Sequence, residues 1–552
     1  MPVISVDPEE LKKLSDSDDF ELIKNLPKLG IEIDEIGDDE WSLEVFPDRC
    51  DMLSVEGISR AVKGFLGKDT GLIKYDTKRS DIETSVELSV QDVRPYIVTA
   101  VIKEVELNDR LLKSLMNIQE KLHLTLGRNR AKVAIGVHDL SKVKPPFVYK
   151  AVKPEDISFV PLQKNHEMTL RDILDKHEKG QKFAYILEDK EKYPIILDSE
   201  DNVLSFPPII NGVLTQVTPE AEELFIDMTG TDLRALEYSL NILCTLFADR
   251  NAEIFSTKVM YGESQEIYPR IENEKMDIDP KEVRKQLGVK IDREEITDVL
   301  GRMRYGIEDD QGEETEKIAV VVPAYRHDIL HPWDVIEDIA IGYDFDNFNG
   351  EMPNEVTIGK ELSIRELEST LSEMMIGYGF QEVMNYPLGN EKREYTMMRN
   401  EVQDDVYTLE NPVTQEETCL RVSLLPSLMN NLHRSRNKPL PQKLFEIGDV
   451  VNDGEQRTYF SGVIIHSEAG FSEIKSHIAG MMKNVGVEHT IEENNDERFI
   501  RGRCATIKMG DDEIGLFGEI HPELLSNFEL ENPVTAFEIV DLTRFSREES
   551  NL

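Results

Sequence analysis

Cysteine is scarce and scattered. Cys50, Cys244, Cys419 and Cys504 are the only four in 552 residues, and no two stand at metal-site or redox spacing. That excludes a disulfide framework and a structural zinc site. No apolar run is long enough to span a bilayer, and the N-terminus has no basic-then-apolar leader, so a soluble cytoplasmic chain without a membrane partner is expected. Positive charge is also in short supply: 63 Lys+Arg face 108 Asp+Glu, a formal charge of −45. Such an excess argues against a nucleic-acid partner, because phosphates repel carboxylates. The acid is spread evenly rather than gathered in a tail, which reads as adaptation to concentrated salt. There the Debye length falls to roughly 3 Å at 1 M and self-repulsion is screened. The net sign therefore decides nothing, and local basic stretches must. The composition is 39% hydrophobic, enough for several cores, and the length points to about three or four domains.

One pattern occurs twice. Residues 17–60 and 293–342 each read as an amphipathic helix ending at a glycine (Gly30, Gly306), then Ile-Glu and an acidic loop. A short β-branched strand follows (Leu43–Phe46; Ile318–Val322), then proline and Arg-x-Asp (Arg49/Asp51; Arg326/Asp328), then a second helix. Two copies of one winged-helix-like module are implied. After Arg-x-Asp the copies diverge. "MLSVEGISRA" holds one acid, whereas "ILHPWDVIEDIA" holds Asp334, Glu337 and Asp338. The spacing i, i+3, i+4 places those three on one helical face, where like charges repel. Asp328, just before the helix, can cap it or join them. Two readings stand: a carboxylate site for a hard cation such as Mg2+, or an exposed acidic face.

Residues 85–150 are strand-rich around an amphipathic helix near 109–124. From Lys121 to Lys153 the charge reverses: Lys121, Arg128, Arg130, Lys132, Lys142, Lys144, Lys150 and Lys153 oppose a single acid, Asp139. This is either a phosphate-contacting surface or a turn with incidental lysines. In 193–232, "SFPPIING" sets Ser205 before two prolines and Asn211-Gly212 in a tight turn. "LFIDMTGTD" closes an apolar strand with Asp227, Thr229 and Thr231. Fixed hydroxyl, amide and carboxylate groups at such positions can read a polar substrate. Ordinary turns of an α/β domain would look the same. No Ser or Cys there has a matched His nearby, so hydrolysis would have to position water.

Past residue 360 the order is a helix ending at Gly377, a strand at Glu382–Leu388, and "TCLRVSLLP" and "KLFEIGDVV" as strands around a basic helix–loop with His433, Arg434, Arg436 and Lys438. The strand–helix–strand "EIGLFGEIHPELLSNFELENPVTAFEIVDL" closes the chain's last third. A large antiparallel sheet with flanking helices is expected.

Taken in order, "FPDRCDMLSVEG", "LGRNRAKVAIGVHDL", "SFPPIING", "DMTGTD", "PAYRHDILHPWDVIEDIAIGY", "LRVSLLPSL", "KLFEIGDVV" and "FGEIHPELL" resemble one family over essentially the whole chain. It is the beta subunit of phenylalanyl-tRNA synthetase, in its shorter archaeal form. The resemblance implies an α/β (α+β) multidomain fold: a winged-helix-like module at 1–80, an α/β editing domain at 85–265, a B5 domain at 270–346 and a catalytic-like class II synthetase module at 355–552. Linkers are expected at 60–85 and 345–360.

It also implies Mg2+ ligands at Asp328, Asp334, Glu337 and Asp338, the last being Asp where bacterial members often carry Glu. The pocket residues Ser205, Asn211, Asp227 and Thr229 would hydrolyse mischarged Tyr-tRNA(Phe), their individual roles open. The synthetic site would lie on a partner alpha subunit in an alpha2beta2 heterotetramer that uses ATP and binds tRNA(Phe). Active class II modules place Phe-Arg-x-Glu in a strand to hold the ATP α-phosphate. This chain has Phe445-Glu446-Ile447-Gly448, a carboxylate that would repel phosphate. Two rivals remain at this point, a free-standing nucleic-acid-binding protein and a stand-alone aminoacyl-tRNA hydrolase.

Overall fold

The computed structural model describes residues 2–308, 317–353, 357–402 and 406–545. The chain is a mixed α/β multidomain protein that divides into two compact units, residues 1–352 and 353–552.

The first unit contains the repeat, and it is longer than the sequence pattern indicates. Strand Val3–Val6, helices Pro8–Ser15 and Asp19–Asn25, strands Ile31–Ile36 and Trp41–Val45, and helix Val55–Phe65 make the first copy. The second runs through Glu274–Ile278, Pro280–Leu287, Arg293–Arg302, Gly306–Glu308, Ile318–Val322 and Pro332–Tyr343 in the same order. Each forms a three-stranded antiparallel sheet with its last strand central. The added leading helices start alike. Asp7 and Asp279 accept backbone N–H groups of Glu9 and Lys281, and a proline fills the first helical position.

One expected detail changes. Gly30 ends its helical turn at φ +76°, but in the second copy the helix stops at Arg302 and Arg304 takes the left-handed position at φ +72°. Gly306 instead opens a strand, where a Cβ would stand 3.1 Å from Leu72. The expected acidic loop of this copy falls largely on 309–316, outside the described residues. The copies touch: Lys28 pairs with Asp344 and Asp346, and Arg304 Nε donates to the Arg60 carbonyl at 3.0 Å.

Between the copies lies a ten-stranded mixed sheet. Its path runs from Ile210–Asn211 through Val203–Phe206, Tyr193–Leu197, Phe147–Val152, Thr77–Val86, Glu253–Tyr261, Tyr96–Lys103 and Glu223–Gly230 to Val133–Asp139. Its first strand in the chain begins at Thr77 and the preceding helix ends at Phe65, so the expected linker at 60–85 narrows to the residues between them. Helix Asp109–Leu124 is capped by Asn108 and buries Leu111, Leu115, Ile118 and Leu122. That spacing is one helical face.

In the second unit a seven-stranded sheet is antiparallel except for its edge pair Gln381–Glu382 with Gln442–Asn452. Helix Ser363–Gly377 ends where expected, and Asp512–Ile520, Pro522–Asn527 and Val534–Ile539 give the strand–helix–strand. Two expected strands are not formed at full length. Only Gln381–Glu382 and Leu388–Gly389 survive of the first, and only Cys419–Leu420 of "TCLRVSLLP". Pro387 lacks an N–H for a ladder, and Leu425-Pro426 starts a helix that runs to Arg434. Residues 354–356, within the other expected linker, lie outside the described residues. No helix among the described residues is long and apolar enough to cross a membrane.

Candidate functional site

A cavity of about 570 Å3 opens in the first unit. Its size is that of a small-molecule site. Helix Asp109–Leu124 supplies one wall through Leu112, Met116, Gln119 and His123, whose spacing marks the face beside the buried one. Strands Val133–Asp139 and Glu223–Gly230 supply the floor, and segment 205–217 the opposite wall. Ser205, Asn211, Asp227 and Thr229, four residues singled out in sequence, all line it.

Their settings differ. Ser205 pairs across a hairpin with Asn211, so Asn211 lies in a strand; the tight turn falls earlier, at residues 207–209. The two prolines there cannot donate to a ladder, which pushes the reversal onto them. Ser205 Oγ is buried without a hydrogen-bond partner. Asp227 and Thr229 lie two apart on one strand and face the same side. Thr229 Oγ1 accepts from Arg94 Nε at 2.9 Å, and Arg94 also donates to the Thr229 carbonyl at 2.6 Å.

Sequence reading missed the partner of Asp227. His138, fully buried on Val133–Asp139, lies 2.6 Å from Asp227 Oδ2 through Nε2 and 2.7 Å from Thr215 Oγ1 through Nδ1. The signal was faint: one histidine in an apolar strand, two residues past Gly136. A second histidine, His123, is held neutral. Its Nε2 accepts the Ile135 N–H at 2.8 Å, and burial pulls its pKa down to about 4 against the pull of Glu120.

The basic segment is less free than its composition suggests. Arg130 is buried against Glu120 at 2.6 Å and the Pro208 and Ile209 carbonyls, Lys132 pairs with Asp232, and Lys144 with Glu200. Arg128 and Lys153 remain exposed.

Helix Pro332–Tyr343 carries the acidic face. Asp328 and Asp338 converge on the buried Arg326, at 2.6 and 2.7 Å, and Asp338 also accepts from Tyr305 Oη at 2.5 Å. Asp334 Oδ2 caps its own helix by accepting the N–H groups of Leu330 and His331, both at 2.7 Å. Glu337 is exposed. Partial burial, then the nearby Asp338, Asp48, Asp334 and Asp328, raises its pKa. Among the described residues no three His, Cys, Asp or Glu side chains are gathered to hold a metal ion. Three of the four carboxylates are engaged internally, Asp328 and Asp338 by a guanidinium and Asp334 by backbone N–H groups.

In the second unit Glu446 is buried. It accepts from Arg421 Nη1 at 2.6 Å and Asn385 Nδ2 at 2.6 Å. Nearby on that sheet Glu538 accepts from Ser423 Oγ at 2.6 Å and Arg498 Nη1 at 3.3 Å. Arg421 and Glu446 thus neutralise each other inside the second unit.

Comparison with known proteins gives the family. The family described as "Phenylalanyl tRNA synthetase beta chain CLM domain" matches residues 350–540, and "tRNA synthetase B5 domain" matches 276–345. The Phenylalanine--tRNA ligase beta subunit of Archaeoglobus fulgidus is 44% identical over 547 residues, 99% of each chain. That of Methanosarcina barkeri is 42% identical over 540 residues, 98% of each. The crystal structure of an N-terminal fragment of the Pyrococcus horikoshii beta subunit is 35% identical with a TM-score of 0.59, covering 62% of this chain and 99% of the fragment. At that identity over nearly its whole length, the chain belongs to the phenylalanine--tRNA ligase beta subunit family, and is a ligase subunit rather than a free-standing nucleic-acid-binding protein or stand-alone hydrolase.

Proposed function

We propose that the cavity of the first unit is a hydrolytic editing site for Tyr-tRNA(Phe), while phenylalanine activation with ATP belongs to a partner alpha subunit. The observation that carries this reading is the buried carboxylate of Asp227 at the floor of an otherwise largely apolar cavity. The ring of tyrosine fits apolar walls, and its hydroxyl can donate to Asp227. Phenylalanine in the same place would leave the carboxylate oxygen that faces the ligand without a donor, at a cost of about 1–3 kcal/mol. Water then cleaves the ester between tyrosine and the terminal ribose, giving free tyrosine and uncharged tRNA. Ser205 Oγ, the hydroxyl of the cavity's serine, has no hydrogen-bonded base to activate it, so the protein's part is to orient that ester and the water.

The same reading gives an alpha2beta2 heterotetramer in the cytoplasm, and the exposed cations Arg128 and Lys153 a place on the path of the tRNA end. The even acidic surface supports a salt-rich habitat. By the family resemblance, Mg2+ would be held by Asp328, Asp334, Glu337 and Asp338. Its support here is the excess of negative charge around Glu337.

The test uses the two-subunit enzyme. Asp227→Ala should cut deacylation of preformed Tyr-tRNA(Phe) by about 100-fold or more and leave phenylalanylation within about 2-fold. Loss of both activities together, or of neither, refutes the assignment.

A further inference from the structure

His138 does not belong to the set that the sequence singles out, and its position on the sheet is unusual. Strands Val133–Asp139 and Glu223–Gly230 run antiparallel, with Gly136 directly opposite Asp227 and His138 opposite Phe225. His138 and Asp227 are thus diagonal neighbours on one face, a separation that only a long side chain bridges. The bridge passes over Gly136. A Cβ there would stand 2.2 Å from Asp227 Oδ2 and 2.8 Å from His138 Nε2, so any larger residue would displace the contact. The far ring nitrogen is held by Thr215 from the opposite wall of the cavity, in the turn that follows Asn211. Thr215 Oγ1 itself lies 3.4 Å from the carbonyls of Leu204 and Gly212.

Resting on the editing reading, we infer that His138 is a positioning residue. It fixes Asp227 for the substrate hydroxyl by donating Nε2–H to Oδ2, and it ties the sheet floor to the wall that carries Ser205 and Asn211. The imidazole occupies one carboxylate oxygen and leaves the other to the ligand. Without that donor Asp227 would be free to turn about its χ angles, and the buried, charged carboxylate would lose a hydrogen bond it accepts. His138 touches no substrate atom in this account. It acts through Asp227, and it sets which amino acid is hydrolysed rather than how the ester is attacked.

Three variants in the two-subunit enzyme test it, with kcat and KM for Tyr-tRNA(Phe) deacylation measured separately and phenylalanylation as the control. His138→Ala should lower kcat/KM by about 10- to 100-fold, the equivalent of one bond to a charged group. His138→Gln places an amide N–H near the Nε2 position and should recover activity to within about 3-fold of wild type. Thr215→Val frees the far side of the ring and should fall between them. A residue that only fills space would not distinguish Ala from Gln in this way. The inference is overturned if His138→Ala deacylates like wild type, or if His138→Gln is as inactive as His138→Ala while charging is intact. Should His138→Ala fail to fold, wild-type deacylation by Thr215→Val overturns it instead. Absence of deacylation in the wild-type enzyme would bring down the editing assignment, and this inference with it, a result distinct from all of the others.

Discussion

Asp227 and Glu446 are both carboxylates almost wholly removed from solvent on a β-sheet, and both have a nitrogen partner at 2.6 Å. The resemblance ends there. Asp227 meets an imidazole and faces a cavity of about 570 Å3, with space for a ligand beside it. Glu446 meets a guanidinium, an amide and a backbone N–H, and its lone pairs are spent inside the protein. A polar group kept beside an open volume is available for recognition. One closed by an internal ion pair serves only the fold.

The comparison is broken most severely at the closed site. Arg421→Met strands Glu446 without its counter-charge and should lower stability by about 3–5 kcal/mol, read by denaturant melting of the assembled protein. Adding Glu446→Gln should restore at least half of that loss. The matching change at the open site, His138→Ala, should cost less than about 2 kcal/mol, because water entering the cavity can solvate Asp227. Equal destabilisation at both sites would erase the distinction.

A smaller effect concerns Glu394, buried at the end of helix Glu391–Glu394 with Arg393 Nε at 3.5 Å and neither oxygen hydrogen-bonded. Burial, opposed by Arg393, pushes its pKa up to about 7. Because the folded pKa exceeds the unfolded value near 4.3, this group favours the folded state below about pH 4, and that contribution is lost as pH rises toward 7. Glu394→Gln should therefore stabilise by about 1–3 kcal/mol at pH 8 and by nothing near pH 4; a pH-independent difference would show that Glu394 is satisfied.

The smallest effect sorts Asp334. As a helix cap its loss to Ala should cost about 1 kcal/mol irrespective of Mg2+. If Mg2+ raises the melting temperature of the wild type but not of Asp334→Ala, the carboxylate is a ligand as well.

Much of the pocket was legible because its signals are local. Ser205 and Asn211 flank a proline turn, and Asp227 and Thr229 interrupt an apolar strand. His138 was hidden because its partners are 89 and 77 residues away and its own strand reads as core. The acidic helix taught a related lesson. Spacing correctly put Asp334, Glu337 and Asp338 on one helix, but could not show Arg326 turning back to neutralise Asp338. The repeat was found from glycine and Arg-x-Asp spacing. Its leading strands escaped because "VISV" and "EKMDI" are too short for periodicity to declare itself.

Arg49 and Asp51 of the first copy share a narrow crevice with Arg326 of the second, while Lys28 reaches Asp344 across 316 positions of chain. A ribosome would release the opening segment long before its mate is synthesised. Until then the early copy waits with its arginine-lined side uncovered, and closure is a late, non-local event in the protein's birth. Truncations that stop before residue 345 would leave the nascent amino-terminal portion widowed, a dependence invisible to any inspection of that portion alone.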